Sequence, residues 1–405
     1  MATPHPPTVV LPVEIKNREL DANVLLAAAL AERGWRALVI SYWQLGAVGH
    51  RLPPALWVMK NVTRRSLDLF ARLRAWGHTL WALDEEALVI YSEAVYRRRR
   101  LALETMGQAR GLLAWGEANT HLWRNYLAEA GGGEIPIYAV GNPRLDLTRP
   151  ALRTVYHPAV AALKGRFGPY VLINSNFGTV NPKAAALLRL PRPEDVAAGR
   201  VAAPPHYDPE LAHHRHRAFQ AFLQAFPTLA RRVPQLQFVL RPHPAEGGKP
   251  WEAAAQGLAN AHVVYEGEAV PWILGATAVV HHSCTTAVEA FFCDRPVFSY
   301  HPSPDAAYQP PITRALSQET ATLAELCDGL AAAAAGQPSS PGDSVRWQTA
   351  THFVASARGS LACDRIGQQL SPDLEVFAPQ PPLTTGQRLW GRRQWHPHEA
   401  RHRQP

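Results

Sequence analysis

Three acids in a row, Asp84-Glu85-Glu86, directly follow the apolar run Thr79 to Leu83. Packed carboxylates raise one another's pKa, and a carboxyl so raised can hold or accept a proton near neutral pH. The same block also suits a solvated loop or the first turn of a helix, where acids complement the dipole. Arg241-Pro242-His243-Pro244 follows a second run, Gln237 to Leu240. Its prolines fix the loop and hold His243 in one direction. A rigid Arg and His at a strand end can grip phosphate by charge and hydrogen bonds. His281-His282-Ser283-Cys284-Thr285-Thr286 passes from a strand end into a helical pattern. Ser283 or Thr285 can cap that helix, and its N–H groups and hydroxyls then make an anion site. Glu289, one turn in, is placed to reach a ribose hydroxyl. Capping explains the Ser and Thr but not the two histidines. No third ligand has metal-site spacing, so no metal is expected.

Two weaker segments complete the set. Asn174-Ser175-Asn176-Phe177-Gly178 ends another strand-like run, and short polar groups before Gly allow close backbone approach to a ligand. Gly141-Asn142-Pro143-Arg144, with Asp146, follows the run Ile135 to Val140, where an ordinary turn is a sufficient explanation.

The elements that must position these residues read as two successive α/β series. Strands are expected at Thr8 to Ile15, Arg36 to Tyr42, Ala55 to Met59, Thr79 to Leu83, Leu112 to Trp115 and Ile135 to Val140. Helices are expected at Glu19 to Arg33, stopped by Gly34, and at Thr63 to Trp76. A second series has strands at Tyr170 to Asn174, Gln237 to Arg241, His262 to Tyr265, Ala278 to His281 and Pro296 to Tyr300. Its helices are expected at His213 to Phe226, ended by Pro227, at Trp272 to Gly275 and at Thr285 to Phe292. Val345 to Gln369 reads as helical. The expected organisation is an N-terminal acceptor-side domain over 1–160 and a nucleotide-sugar-binding domain over 161–345. A return helix over 346–371 and a Pro/Arg/Trp-rich tail over 372–405 follow. Tandem α/β domains bind ligands at the carboxyl ends of their strands, in the cleft between them.

Composition narrows the function. At 47% hydrophobic, the 405-residue chain is globular rather than disordered. Its longest apolar runs, such as Val24 to Ala31, fall far short of the ~18 residues that span a bilayer. No signal peptide is legible, so the cytoplasm is expected, including the inner face of a membrane. Four scattered cysteines without a CxxC pair argue against a disulfide framework or a zinc site. The net charge of +8 favours an anionic partner. No basic stripe interleaves with aromatics, which argues against nucleic acid. GxxxxGK[ST], GxGxxG and GxSxG are all absent. The Arg97 to Arg100 run reads as a solvated helix face. Trp390, Arg392-Arg393 and Trp395 offer a surface that could meet a membrane or a polyanion.

Together with Leu11-Pro12-Val13-Glu14-Ile15-Lys16 and Arg18-Glu19-Leu20, the Asp84 block, the Gly141 turn, the Arg241 loop and the Ser283 to Thr286 segment resemble bacterial surface-carbohydrate biosynthesis proteins. They are similar to GT-B glycosyltransferases of capsule and O-antigen assembly, including β-Kdo transferases and bacterial polysialyltransferases. The resemblance covers residues 8–370. It implies a GT-B-like fold, two Rossmann-type α/β domains facing a central cleft. It also implies transfer of a CMP-activated acidic sugar, Kdo above all, to an anionic glycan or lipid-linked acceptor. No cofactor or metal is implied, the CMP-sugar being the substrate. The family's acidic block carries a catalytic acid, which assigns that role to Asp84, Glu85 or Glu86. Here Ala87 follows the block where the family has Gly. The donor site implied by the resemblance is His243-Pro244 on CMP with Ser283, Thr285 and Thr286 near its phosphate. Asn174, Ser175, Asn176, Arg241, His282 and Glu289 join it from the reading of strand ends. Two other classes are compatible with these motifs: a UDP-sugar 2-epimerase or glycerophosphotransferase-like enzyme of the same fold, and a non-catalytic nucleotide- or glycan-binding scaffold.

Overall fold

The structure, a computed structural model, describes residues 6–302, 306–337 and 343–377. Trp390, Arg392, Arg393 and Trp395 lie outside the described residues. Contacts divide the chain into two units. Of the described residues, unit 1 holds those up to Leu88, then Glu93–Leu147, and those from Thr351 to Phe377; unit 2 holds Val89–Ser92 and those between Thr148 and Ala350.

Unit 1 is built on six parallel strands: β1 (Thr8–Val13), β2 (Arg36–Ser41), β3 (Leu56–Met59), β4 (Thr79–Leu83), β5 (Gly111–Ala114) and β6 (Ile137–Ala139). Their order is β2-β1-β3-β4-β5-β6. The order reverses between β1 and β3, and in open α/β sheets ligands bind beyond the carboxyl ends at such a reversal. Those ends lead into Glu14 and Lys60. The helix Lys16–Glu32 buries Ala22, Leu26 and Leu30 at helical spacing, and Leu26 and Leu30 join Val9, Leu11, Leu56 and Val58 in one core.

Residues after Thr351 complete this unit. Cys363, Ile366, Leu370 and Phe377 join its core. Asp146 accepts from the Ala362 and Cys363 amides at 2.8 and 2.9 Å. The expected single helix over Val345 to Gln369 is two helices, Asp343–Phe353 and Ala362–Leu370. The break has a physical cause: the Ala355 amide donates to the Trp115 carbonyl at 2.8 Å instead of to the first helix, and Asp146 takes the first two amides of the second helix. Gly141 (φ +88°) sits tightly against this segment, since a Cβ there would lie 2.1 Å from Ser356 Oγ.

Unit 2 repeats the plan with β7 (Tyr170–Asn174), β8 (Gln237–Arg241), β9 (Ala261–Val263), β10 (Ala278–His281), β11 (Val297–Tyr300) and β12 (Gln318–Thr320). All are parallel, in the order β12-β11-β10-β7-β8-β9, so the reversal lies between β7 and β10. Register pairs Asn174 with His281 on one side and with Arg241 on the other, so three of the motifs end side by side.

The helix expected over His213 to Phe226 runs from Pro209 to Arg232, with Pro227 inside it. Asp208 caps its start by accepting from the Leu211 amide at 3.0 Å, with Pro209 at the first helical position. Pro227 removes the bond to the Leu223 carbonyl, but the buried stripe through Phe222, Phe226, Leu229 and Ala230 holds the helix together. No helix among the described residues is long and apolar enough to cross a membrane.

Candidate functional site

In unit 1 the acid block and the N-terminal motif meet in one charge network. Lys60, following β3, lies 2.7 Å from Glu14 and 2.6 Å from Glu19. Arg18 joins Glu19 at 3.1 Å to Glu86 at 2.9 Å. The Glu14 amide also donates to Glu19 Oε2 at 2.8 Å. Glu19 is 2% exposed. Burial pushes its pKa up, but Lys60, the Glu14 amide and Arg18 outweigh burial, and the result lies below 4.5. A carboxyl lowered on folding stabilises the protein above its unfolded pKa and loses that contribution as the pH falls through its folded value. Acid titration followed by near-ultraviolet circular dichroism is therefore expected to show stability falling below about pH 4.5, with a shallower fall in Glu19→Gln. Equal slopes in the two proteins would contradict this.

The three acids have different surroundings. Asp84 is fully buried. It accepts from Tyr96 Oη at 2.8 Å, from Arg100 Nε at 3.1 Å and Nη2, and from the Glu86 amide at 3.2 Å. Glu86 is exposed and paired with Arg18. Crowding by neighbouring atoms acts upward on its pKa even though its surface reaches solvent, but the Arg18, Arg100 and Arg144 guanidiniums prevail and lower it. Glu85, 9% exposed, has only longer contacts: Asn142 Nδ2 at 3.3 Å and Arg144 Nη1 at 3.5 Å. It lines a cavity of about 20 Å³ with Glu19, Lys60, Asn142 and Arg144, too small for a sugar. Asp84 thus anchors the loop, and Glu85 is the acid of the block with the longest contacts.

The Arg97 to Arg100 run is not uniformly solvated. Arg97 pairs with Glu129 at 2.7 Å and Arg100 with Asp84, while Arg98 and Arg99 are exposed. A helix turns about 100° per residue, so only half of a four-residue run can face water.

In unit 2 a residue outside the expected set organises the loops. Glu246, fully buried, accepts from Ser175 Oγ at 2.8 Å, the Phe177 amide at 2.9 Å, the His243 amide at 3.0 Å and Trp251 Nε1 at 3.1 Å. It ties the loop after β7 to the loop after β8. Burial still holds its pKa above the ordinary carboxylate value. Its position three residues after His243 was the available signal. Ser175 is thereby committed to holding the loops. Arg241 Nη2 donates to the Glu266 and Gly267 carbonyls at 3.0 and 2.7 Å, and its guanidinium stacks over Trp272 at 5.3 Å. Burial draws its pKa down to about 10.

His281 is satisfied, with Nε2 2.8 Å from Ser317 Oγ. Burial and then His301 lower its pKa to about 3. His282 is neutral for the same first reason, burial, and then through Arg215. Asn174 Nδ2, His282 Nε2 and Ser283 Oγ are buried without a hydrogen-bond partner among the described residues. Ser283 also holds a left-handed backbone, φ +48°, which a non-glycine residue adopts at a cost of about 1–3 kcal/mol. Neither expected cap bond forms. The helix Thr286–Phe292 starts after Thr285, whose backbone is already helical and whose side chain makes no cap bond. The Thr285 and Thr286 hydroxyls lie beside the Cys284 thiol. Asn176 Nδ2 donates to the Ser283 carbonyl at 3.4 Å, joining the loops after β7 and β10. His243 and Pro244 are exposed, and His243 Nδ1 accepts from the Ala245 amide at 3.1 Å, which leaves Nε2 as its donor. Glu289 is buried and interacts electrostatically with Arg241.

Arg215 is a further residue outside the expected set. Its Nη1 lies 3.3 Å from the Asn176 carbonyl and 3.5 Å from His282 Nδ1. Separately, a cavity of about 710 Å³ opens at the other edge of this sheet, before β7, β10 and β11, lined by Lys164, Thr277, Asp294, Arg295 and Gln337. It shares no residue with the motifs.

No protein-family model matches the chain, and no curated protein does. Solved structures do match. The S. aureus MnaA–UDP co-structure has a TM-score of 0.56 at 12% identity, covering 93% of this chain and 100% of that one. UDP-GlcNAc 2-epimerase of Methanocaldococcus jannaschii, in complex with UDP-GlcNAc and UDP, has a TM-score of 0.54 at 12% identity, with 90% and 99% covered. The fold is GT-B-like. Wall teichoic acid polymerase TagF shares it at a TM-score of 0.52 and 14% identity, with 91% and 89% covered. The two GT-B-type units correspond to the two parallel sheets expected from the alternating runs of the sequence.

Proposed function

We propose that this chain is an enzyme acting on a nucleotide sugar, with the nucleotide phosphate bound in unit 2 beyond β7, β8 and β10. The observation that carries the reading is the trio of buried, unpartnered polar atoms, Asn174 Nδ2, His282 Nε2 and Ser283 Oγ, beside the reversal of strand order. Buried polar atoms are rarely left unpaired, and these three can all donate to an anion. Departure of a nucleotide develops negative charge on its phosphate, which preoriented donors stabilise. Glu85 is the proposed proton-transfer group, with Asn142 and Arg144 holding its carboxylate.

Two donor classes follow. The motif resemblance supports transfer of an acidic sugar, Kdo first, from its CMP derivative to an anionic glycan or lipid-linked acceptor in surface polysaccharide synthesis. On this reading the work is done in the cytoplasm, at the inner membrane face where the acceptor is lipid-linked. The structural likeness supports a UDP-sugar instead, with epimerisation at C2 as the reaction: one neighbour is a UDP-GlcNAc 2-epimerase with UDP-GlcNAc and UDP bound, and another holds UDP.

Calorimetric titration of the full chain with CMP, UDP and CDP, with EDTA present, separates them. CMP binding that persists in EDTA and is lost in His243→Ala supports the transferase. Preference for UDP, with interconversion of UDP-GlcNAc at C2, supports the epimerase. Absence of binding by all three overturns the nucleotide-sugar reading.

A further inference from the structure

The geometry points to Arg215 as the cation that binds the nucleotide phosphate, an assignment that rests on unit 2 being the nucleotide site. Arg215 lies on the buried stripe of the helix Pro209–Arg232, one turn from both Leu211 and Phe219. Its guanidinium reaches the loops after β7 and β10, touching the Asn176 carbonyl and His282 Nδ1. These are the two strands between which the sheet order reverses. Among the described residues no carboxylate lies within ion-pair distance of Arg215. A half-buried cation with no carboxylate in contact, Glu246 acting on it only at longer range, is costly, and an anionic ligand at the guanidinium offsets that cost.

Among the described residues, only Arg241 of the neighbouring groups is a further cation, and its Nε is also unpartnered. His281, His282 and His301 are neutral, and Arg241 Nη2 is committed to two backbone carbonyls. A guanidinium only donates, so its contact with His282 Nδ1 puts the His282 proton on Nε2, the unpartnered atom. Arg215 charge, His282 Nε2–H, Asn174 Nδ2 and Ser283 Oγ together make a set suited to phosphate oxygens.

Arg215→Gln keeps an N–H donor for the Asn176 carbonyl and removes the charge. The test compares Arg215→Gln, Arg215→Lys and the unaltered protein by calorimetry, using whichever of CMP or UDP binds and the matching nucleoside, cytidine or uridine. Arg215→Gln is expected to weaken nucleotide binding by about 10- to 100-fold, the loss typical of a charge-assisted hydrogen bond. Nucleoside binding is expected to stay within about twofold, and the fall of nucleotide affinity with added salt to become shallower. Arg215→Lys is expected to lie between the two. Unchanged nucleotide binding in Arg215→Gln overturns the assignment alone. So does an equal loss of nucleoside and nucleotide, which marks a loop-holding role. If the unaltered protein binds neither nucleotide, the reading of unit 2 as a nucleotide site falls, and this assignment with it.

Discussion

Asp84→Ala is expected to destabilise unit 1 by about 3–5 kcal/mol, the usual cost of leaving a buried ion pair with one partner. Asp84 is fully buried and accepts from Tyr96, Arg100 and the Glu86 amide. Its own carbonyl also accepts from Trp115 Nε1 at 2.8 Å, so the loop is tied both to the residue after β5 and, through the carboxylate, to the helix Glu93–Arg100. Removing the carboxylate strands the Arg100 guanidinium and the Tyr96 hydroxyl, whose pKa burial and Asp84 already hold far above the ordinary phenol value. At about 2–4 °C per kcal/mol for a domain of 150–250 residues, scanning calorimetry should register a fall of roughly 10 °C in the first unfolding transition. Nucleotide affinity, measured below that transition, should be unchanged, because the residues proposed to bind it belong to unit 2. A shift under about 2 °C would mean that Asp84 is not the anchor.

Glu85→Gln is expected to do the opposite: little change in stability, and turnover lower by about 10²- to 10⁴-fold, the usual contribution of a positioned acid or base. Glutamine preserves shape and can still accept from Asn142 and Arg144. It cannot exchange a proton in the same way. With the nucleotide sugar identified by titration, kcat should fall while the affinity for the nucleotide stays the same. Activity within threefold of the unaltered protein would transfer the role to another group, Glu86 being the next acid in the block.

Much of this arrangement is legible in the chain because each motif directly follows an apolar run. Leu83 leads into Asp84, Leu240 into Arg241, and Val280 into the histidine pair. Parallel strands then bring such endings to one edge of a sheet. What stays hidden depends on contacts distant in sequence. Glu246 is one more acid in a turn until Ser175 and Phe177 are brought to it. Arg215 was visible in principle, as a charge interrupting the stripe that includes Leu211, Phe219 and Phe222, but a periodicity reading averages such an exception away. β12, Gln318–Thr320, has no apolar signature at all and exists because β11 offers it an edge. The extended helix Pro209–Arg232 shows local and global preference in conflict. Pro227 is a break signal, and the buried stripe on both sides of it overrides that signal.

The late arrival of residues Cys363 to Phe377 in the core of unit 1 has a consequence for biosynthesis. A ribosome releases all six strands of unit 1 early, but the side chains that close its core emerge only after the whole of unit 2. Apart from the short Val89–Ser92 segment, unit 2 is one uninterrupted stretch and has all its strands in hand before Cys363 emerges. The nascent chain therefore carries an unfinished apolar face while unit 2 is being made, and the unit begun first is the unit completed last.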